Sequence, residues 1–232
     1  MANKKAAFKA ALPHTLPVFT GFIVLGAAYG ILMDSRGFSL FWTLFTSTFI
    51  YAGSMQLLAT ELLAIGFDPL YGFLMTLAVN ARHLFYGISM LEKYRGVGKM
   101  KLYLIFSLTD ETFSLVCSSE PPEGVDRKWF LFFLSALNQF YWITGSLLGG
   151  ILSGLFKFNT KGIEFVLTAL FVVIFLNQWR SSNNHLPALM GIAAAVICRL
   201  VFGEAKFILP SMLLILISLI ISKRPLERRM YP

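Results

Sequence analysis

Charge is scarce in this chain. Asp, Glu, Lys and Arg together make up 14% of its 232 residues, against roughly 25% in soluble domains, and that shortage excludes an ordinary soluble globular fold. Cysteine is scarcer still: Cys117 and Cys198 lie in or beside apolar runs without CxxC spacing, so neither a disulfide framework nor a cysteine metal site is indicated. His14 and His185 lie near segment ends and offer no ligand spacing. GxSxG, HExxH, a Walker loop and a Gly-rich strand-to-helix nucleotide motif are all absent. The chain therefore does not read as an enzyme, needs no cofactor, and gives no sign of transport driven directly by ATP within it.

What is present is apolar. Hydrophobic residues reach 56% and the mean hydropathy is +0.69, the composition of an integral membrane protein. Apolar runs span 16–33, 38–65, 70–91, 102–117, 129–156, 163–179, 186–202 and 207–221. With about 20 residues needed per crossing, they leave no room for a soluble domain. The expected fold is all-α: a single transmembrane transport domain over 1–232, a polytopic bundle of about eight segments with at least one broken or re-entrant.

The net charge of +8 follows the membrane and not a polyanion. Lys4, Lys5 and Lys9 precede the first run, Lys93, Arg95, Lys99 and Lys101 separate the third and fourth, and Lys223, Arg224, Arg228 and Arg229 follow the last. Such flanking charge suits the positive-inside rule and anionic headgroups better than nucleic acid. A multi-pass membrane location follows. A strict eight-crossing path leaves Lys and Arg nearly balanced between the two sides. One broken or re-entrant segment in each half instead lets both termini and the loops 92–101 and 157–161 share the cytoplasmic side. No short apolar core with a small-residue cleavage site follows the N-terminal lysines, so the first helix is expected to stay in the mature protein. Residues 1–12 fit an interfacial amphipathic helix, and Pro13 and Pro17 the first turn of the crossing after it.

Within the run 70–91, Asn80-Ala81-Arg82-His83 places an amide, a guanidinium and an imidazole. An unpaired charge at that depth costs several kcal/mol, so these side chains are expected to face a polar interior. Asn80 and His83 share a helix face with Gly87. His83 suits a proton shuttle or an ordinary hydrogen-bonded packing role, and not a metal site. The run 38–65 is interrupted by Tyr51-Ala52-Gly53-Ser54. Gly53 permits unwinding there, with free N–H groups ahead of the second half-helix that would attract a carboxylate; alternatively, it only lets two helices approach.

Asp110 and Glu111 are read as lying mid-segment in the run 102–117, where a carboxylate must be paired, hydrated or protonated. Neighbouring helical positions point about 100 degrees apart, so one of the two suits the cavity of Arg82 and His83 and the other a different helix. Their role is either proton coupling or a structural ion pair with Arg82. In the fifth run, Asn138, Trp142, Gly145 and Gly149 form one helical stripe, read mainly as a close-packing surface, with Asn138 and Gln139 as candidates to line a path. Gly26 and Gly30 repeat the four-residue spacing in the first run; Arg199 suits snorkelling and Glu164 a helix start.

These motifs in this order resemble the AzlC family, the large subunit of bacterial branched-chain amino acid exporters. The resemblance rests on the Gly21-to-Gly30 stretch, Tyr51-Ala52-Gly53-Ser54-Met55-Gln56, Asn80-Ala81-Arg82-His83 with Tyr86, Thr109-Asp110-Glu111, Asn138 with Trp142 and Gly145, and Gly162-Ile163-Glu164-Phe165. Tyr51 in place of another aromatic such as Phe, and Glu164 in place of Asp, are mild departures. The resemblance implies a secondary exporter of leucine, isoleucine and valine, with methionine as a further substrate, working with a small membrane subunit similar to AzlD. For such a zwitterion, Gly53, Ser54, Gln56 or Arg82 can supply carboxylate donors, Asp110 or Glu111 an ammonium acceptor, and phenylalanines an apolar pocket. The other class the same residues suit is a channel or facilitator for a small polar solute.

Overall fold

In a computed structural model of the chain, residues 4–66, 68–155, 165–181, 184–203 and 207–221 are described. Ten helices follow one another among them: α1 Lys4–Ser35, α2 Leu40–Phe49, α3 Gly53–Ile65, α4 Pro69–Lys93, α5 Met100–Phe106, α6 Asp110–Ser118, α7 Arg127–Leu155, α8 Phe165–Ser181, α9 Leu186–Phe202 and α10 Ile208–Ile221. No strand occurs among the described residues. The 157–161 loop, Gly162, Glu164 and the basic C-terminal tail fall outside them. Among the described residues two helices, α1 and α7, are long and apolar enough to cross a membrane.

The chain divides into two compact units. One comprises residues 1–72 and 79–167, the other 73–78 and 168–232. Within the second, α9 and α10 pack together, and a cavity of about 510 Å³ lies beside the stacked rings of Trp179 and His185, whose centroids are 4.1 Å apart.

The first unit is organised by α1 against α7. Its seam is made of missing side chains: a Cβ on Gly30 would stand 2.0 Å from the Ser146 carbonyl oxygen, and one on Gly149 2.0 Å from that of Ala27. Gly26 and Gly145 sit equally against the opposing backbone. The glycine stripe of the fifth run is thus a helix-packing surface, as its spacing indicates.

The seam also corrects the reading of the N-terminus. Residues 4–12 do not form a separate interfacial helix; they continue into α1, whose 32 residues reach about 48 Å. Ala7 and Ala11 are fully buried, Phe8 packs edge-on to Phe133 at 5.4 Å, and Lys4 lies over the Trp129 ring. Pro13 and Pro17 accordingly sit inside the helix, where burial of the flanking turns outweighs the two lost backbone hydrogen bonds.

Two apolar runs are interrupted. The run 38–65 breaks at residues 50–52, where Tyr51 adopts φ 45°. That left-handed conformation costs a bulky residue on the order of 1 kcal/mol, and burial of Tyr51, 4% exposed, holds it. The run 102–117 also breaks, at residues 107–109. Asp110 and Glu111 are therefore not mid-helix: they open α6, behind a Thr109 cap whose hydroxyl accepts from Thr112 N at 3.2 Å. The cap and the favourable field at a helix N-terminus explain why two carboxylates start this helix.

Candidate functional site

The two breaks meet one intact helix at Arg82. Midway along α4, its Nη2 donates to Ser54 Oγ at 2.8 Å, in the first turn of α3. Its Nη1 pairs with Asp110 Oδ2 at 2.9 Å, at the first residue of α6. The other Asp110 oxygen accepts from the Tyr86 hydroxyl at 2.8 Å. Tyr86 lies one turn beyond Arg82, and its ring stacks on Phe113 with centroids 4.3 Å apart, which aims the hydroxyl. One guanidinium thus ties together the starts of two half-helices and a carboxylate.

A second set of amides is gathered along α7, with Gln56 of α3 meeting it at Trp142. Gln56 Oε1 accepts from Ala52 N at 3.1 Å, supplying the cap that the break leaves α3 without, and from Trp142 Nε1 at 3.2 Å. The Trp142 ring covers Gly53, where a Cβ would stand 3.0 Å from it, so Gly53 serves both as helix start and as a contact surface. Gln139 Nε2 donates to Thr48 O at 3.0 Å, taking up a carbonyl freed in the last turn of α2, and its Oε1 accepts from the Tyr103 hydroxyl at 2.7 Å. Asn138 Nδ2 donates to Thr112 Oγ1 at 3.1 Å in α6. Asn138, Gln139 and Trp142 of one unbroken helix thereby contact both breaks.

Several polar atoms here are buried and unsatisfied. Arg82 Nε and Gln56 Nε2 are donors without a hydrogen-bond partner, and Asn138 Oδ1 is an acceptor without one. The Gln56 amide cannot simply be reversed, since two N–H donors converge on its oxygen. A native fold leaves few such groups, and each costs roughly 1–3 kcal/mol, so a cluster of them at one place points to a ligand or to water that satisfies them.

Of the expected site residues, the fold brings Ser54, Arg82 and Asp110 into direct contact, and places Gly53 and Gln56 on the same half-helix start as Ser54. Glu111 follows Asp110 but forms no ion pair among the described residues; its carboxylate lies near its own backbone N–H, the Thr109 hydroxyl and the Arg82 charge. His83 points back along its helix, with Nδ1 3.2 Å from the Asn80 carbonyl oxygen. It borders a cavity of about 340 Å³ between α4 and α5, whose lining includes Gly87, Ile88, Met90, Leu91, Ile105 and Leu108. That wall is mainly aliphatic, is completed by Tyr94 and Lys101, and contains no phenylalanine. Trp142 and Thr112 enter the site through the fold. Trp142 is visible in the sequence only as part of the glycine stripe, and Thr112 only through its place three residues after the Thr109 cap.

Apolar helices interrupted at facing points, with polar side chains gathered at the interruptions, define a class in which irregular backbone is sheltered inside protein and lines a polar site. The family model described as AzlC protein matches residues 17–156, and the chain belongs to the AzlC family. A Bacillus subtilis (strain 168) protein called branched-chain amino acid transport protein AzlC is 50% identical over 223 residues, 96% of this chain and 88% of that protein. An uncharacterized membrane protein of Haemophilus influenzae is 39% identical over 225 residues, covering 97% of this chain and 92% of its own length. The inner membrane protein YgaZ of Escherichia coli K12 is 28% identical over 207 residues, covering 84% and 83%. No solved structure matches the chain.

Proposed function

We propose that this chain is a secondary exporter of branched-chain amino acids in the bacterial inner membrane, coupled to protons and working with a small AzlD-like membrane subunit. It acts as one multi-pass transport domain of about eight apolar segments, two of them broken. Amino acid transport is supported by the name of the Bacillus subtilis relative and by the family. The observation that carries the reading is the pair of buried donors without partners, Arg82 Nε and Gln56 Nε2, beside two half-helix N-termini. Together they suit a carboxylate. The mainly apolar cavity that begins at His83, next to Arg82, and is also lined by Tyr94 and Lys101 has room for a branched side chain.

The test is efflux of radiolabelled leucine from preloaded cells lacking their own exporters, with the small subunit co-expressed. Wild type should speed efflux, and Arg82→Gln and Asp110→Asn should abolish it at normal membrane levels. Removing one partner of this ion pair costs roughly 3 kcal/mol, the low end for a broken buried pair, because both side chains keep some exposure. Membrane levels must therefore be measured alongside. Absence of leucine efflux from the assembled wild-type complex would overturn the reading.

A further inference from the structure

The two carboxylates that open α6 are adjacent in sequence and differ in what they bond directly. Both oxygens of Asp110 are engaged, one by Arg82 and one by Tyr86. Glu111, partly buried, has no ion pair among the described residues. The next residue, Thr112, accepts from Asn138, whose other amide atom, Oδ1, has no partner although the side chain is 0% exposed. From the α2–α3 break, the Tyr51 phenol lies beside Thr109, Thr112 and Glu111. An alkylammonium group has three N–H donors to satisfy. Glu111 and Asn138 Oδ1 are acceptors without strong partners, and the Tyr51 oxygen is a third acceptor beside Glu111, all grouped about the first turn of α6.

We propose that Glu111, with Asn138 and Tyr51, forms the subsite for the ammonium group of the transported amino acid, and that a proton competes with that ammonium for the Glu111 carboxylate. The proposal rests on the reading of the chain as an amino acid exporter. Asp110 is instead a positioning residue that holds Arg82. Competition for one carboxylate gives exchange directly. When a proton arrives from one side and neutralises Glu111, the ammonium loses its counter-charge and the substrate leaves. When the next ammonium arrives from the other side, the proton is released there. The charged and titratable groups facing Glu111 are Tyr51 from the break, Arg82 and Tyr86 from α4, and Asp110 on its own helix. From α7 the neighbour is the neutral Asn138, and His14 of α1 reaches only Ser119, beyond the far end of α6.

The experiment measures binding of leucine and of 4-methylpentanoate, which keeps the carboxylate and the branched chain but lacks the ammonium. It uses the full chain with its small subunit in nanodiscs at pH 6 and pH 8. Wild type should bind leucine more weakly at pH 6, where the proton competes. Glu111→Gln should weaken leucine about tenfold at pH 8, abolish the difference between the two pH values, and leave 4-methylpentanoate binding intact or stronger. Glu111→Asp should restore part of the pH dependence. Asp110→Asn should weaken both ligands alike. The proposal is overturned if Glu111→Gln keeps wild-type leucine affinity and pH dependence, or if it weakens both ligands equally. Failure of wild type to bind either ligand would instead count against the exporter reading.

Discussion

Two regions of the first unit bring helices together by opposite means. Along the α1–α7 seam, glycines on both sides let backbone touch backbone, and the contact has no slack: added Cβ atoms at Gly30 and Gly149 would fall 2.0 Å from carbonyl oxygens. Around Arg82 the helices are broken, the contacts are side-chain hydrogen bonds, and polar atoms remain without partners. The seam closes backbone on backbone, whereas around Arg82 buried polar atoms stay open. In an apolar protein, rigidity is gained by removing side chains, and a binding site by leaving polar groups unsatisfied beside a rigid support.

The largest test of this contrast makes the same substitution in both places. Gly149→Ala must separate two backbones and should cost about 3 kcal/mol or more, seen as a large fall in the thermal unfolding temperature of the purified complex. Gly53→Ala meets only the edge of the Trp142 ring at 3.0 Å, a side chain that can shift. It should leave that temperature nearly unchanged, because alanine's better helix propensity offsets the crowding. Equal destabilisation by the two would erase the distinction.

An intermediate effect is expected where the regions join. Trp142→Phe keeps a ring on Gly53 but removes the Nε1 donor to Gln56. Stability should fall by roughly 1–2 kcal/mol, while leucine efflux falls about tenfold, equivalent to roughly 1.4 kcal/mol of lost positioning. Efflux that tracks protein level alone would show that Gln56 needs no such support. The smallest effect lies outside both regions. Lys93 Nζ sits 2.8 Å from Glu120 Oε1, and that hydrogen bond, with the lysine charge, holds the exposed Glu120 carboxyl below its usual range. A lowered folded-state pKa means that any stabilisation is present at neutral pH and lost as pH falls through Glu120's depressed titration. Glu120→Gln should give no measurable change in thermal stability at moderate salt; a clear loss would make this end of the unit a structural latch.

Much of the site is legible in the order of residues. Arg82 declares itself because a guanidinium in an apolar run needs a partner, and Asp110 or Glu111 are the acidic residues nearest to hand in the next run. The break near Gly53 is legible because glycine and serine interrupt a hydrophobic stretch. The break at 107–109 is not, since Ser107-Leu108-Thr109 carries no glycine or proline and only the Thr109 cap marks it afterwards. The continuity of α1 is hidden for a related reason: Pro13 and Pro17 read as a helix start, and only burial of Ala7 and Ala11 overrides them.

Composition and order alone determine that this chain is helical and apolar, that its glycine stripes pack closely, and that a buried polar site is built around residues 80–83. These follow from local costs, the price of an unpaired charge in lipid and the reach of an α-helix, which depend on neighbours in sequence. Tertiary structure alone decides which carboxylate Arg82 takes and that Gln56, Gln139 and Asn138 answer to α7 and its neighbours. It also decides which atoms are left without partners. A hydrogen bond between residues 28 or 86 positions apart depends on how whole helices pack, and that is set by many weak contacts at once and by no single stretch of chain.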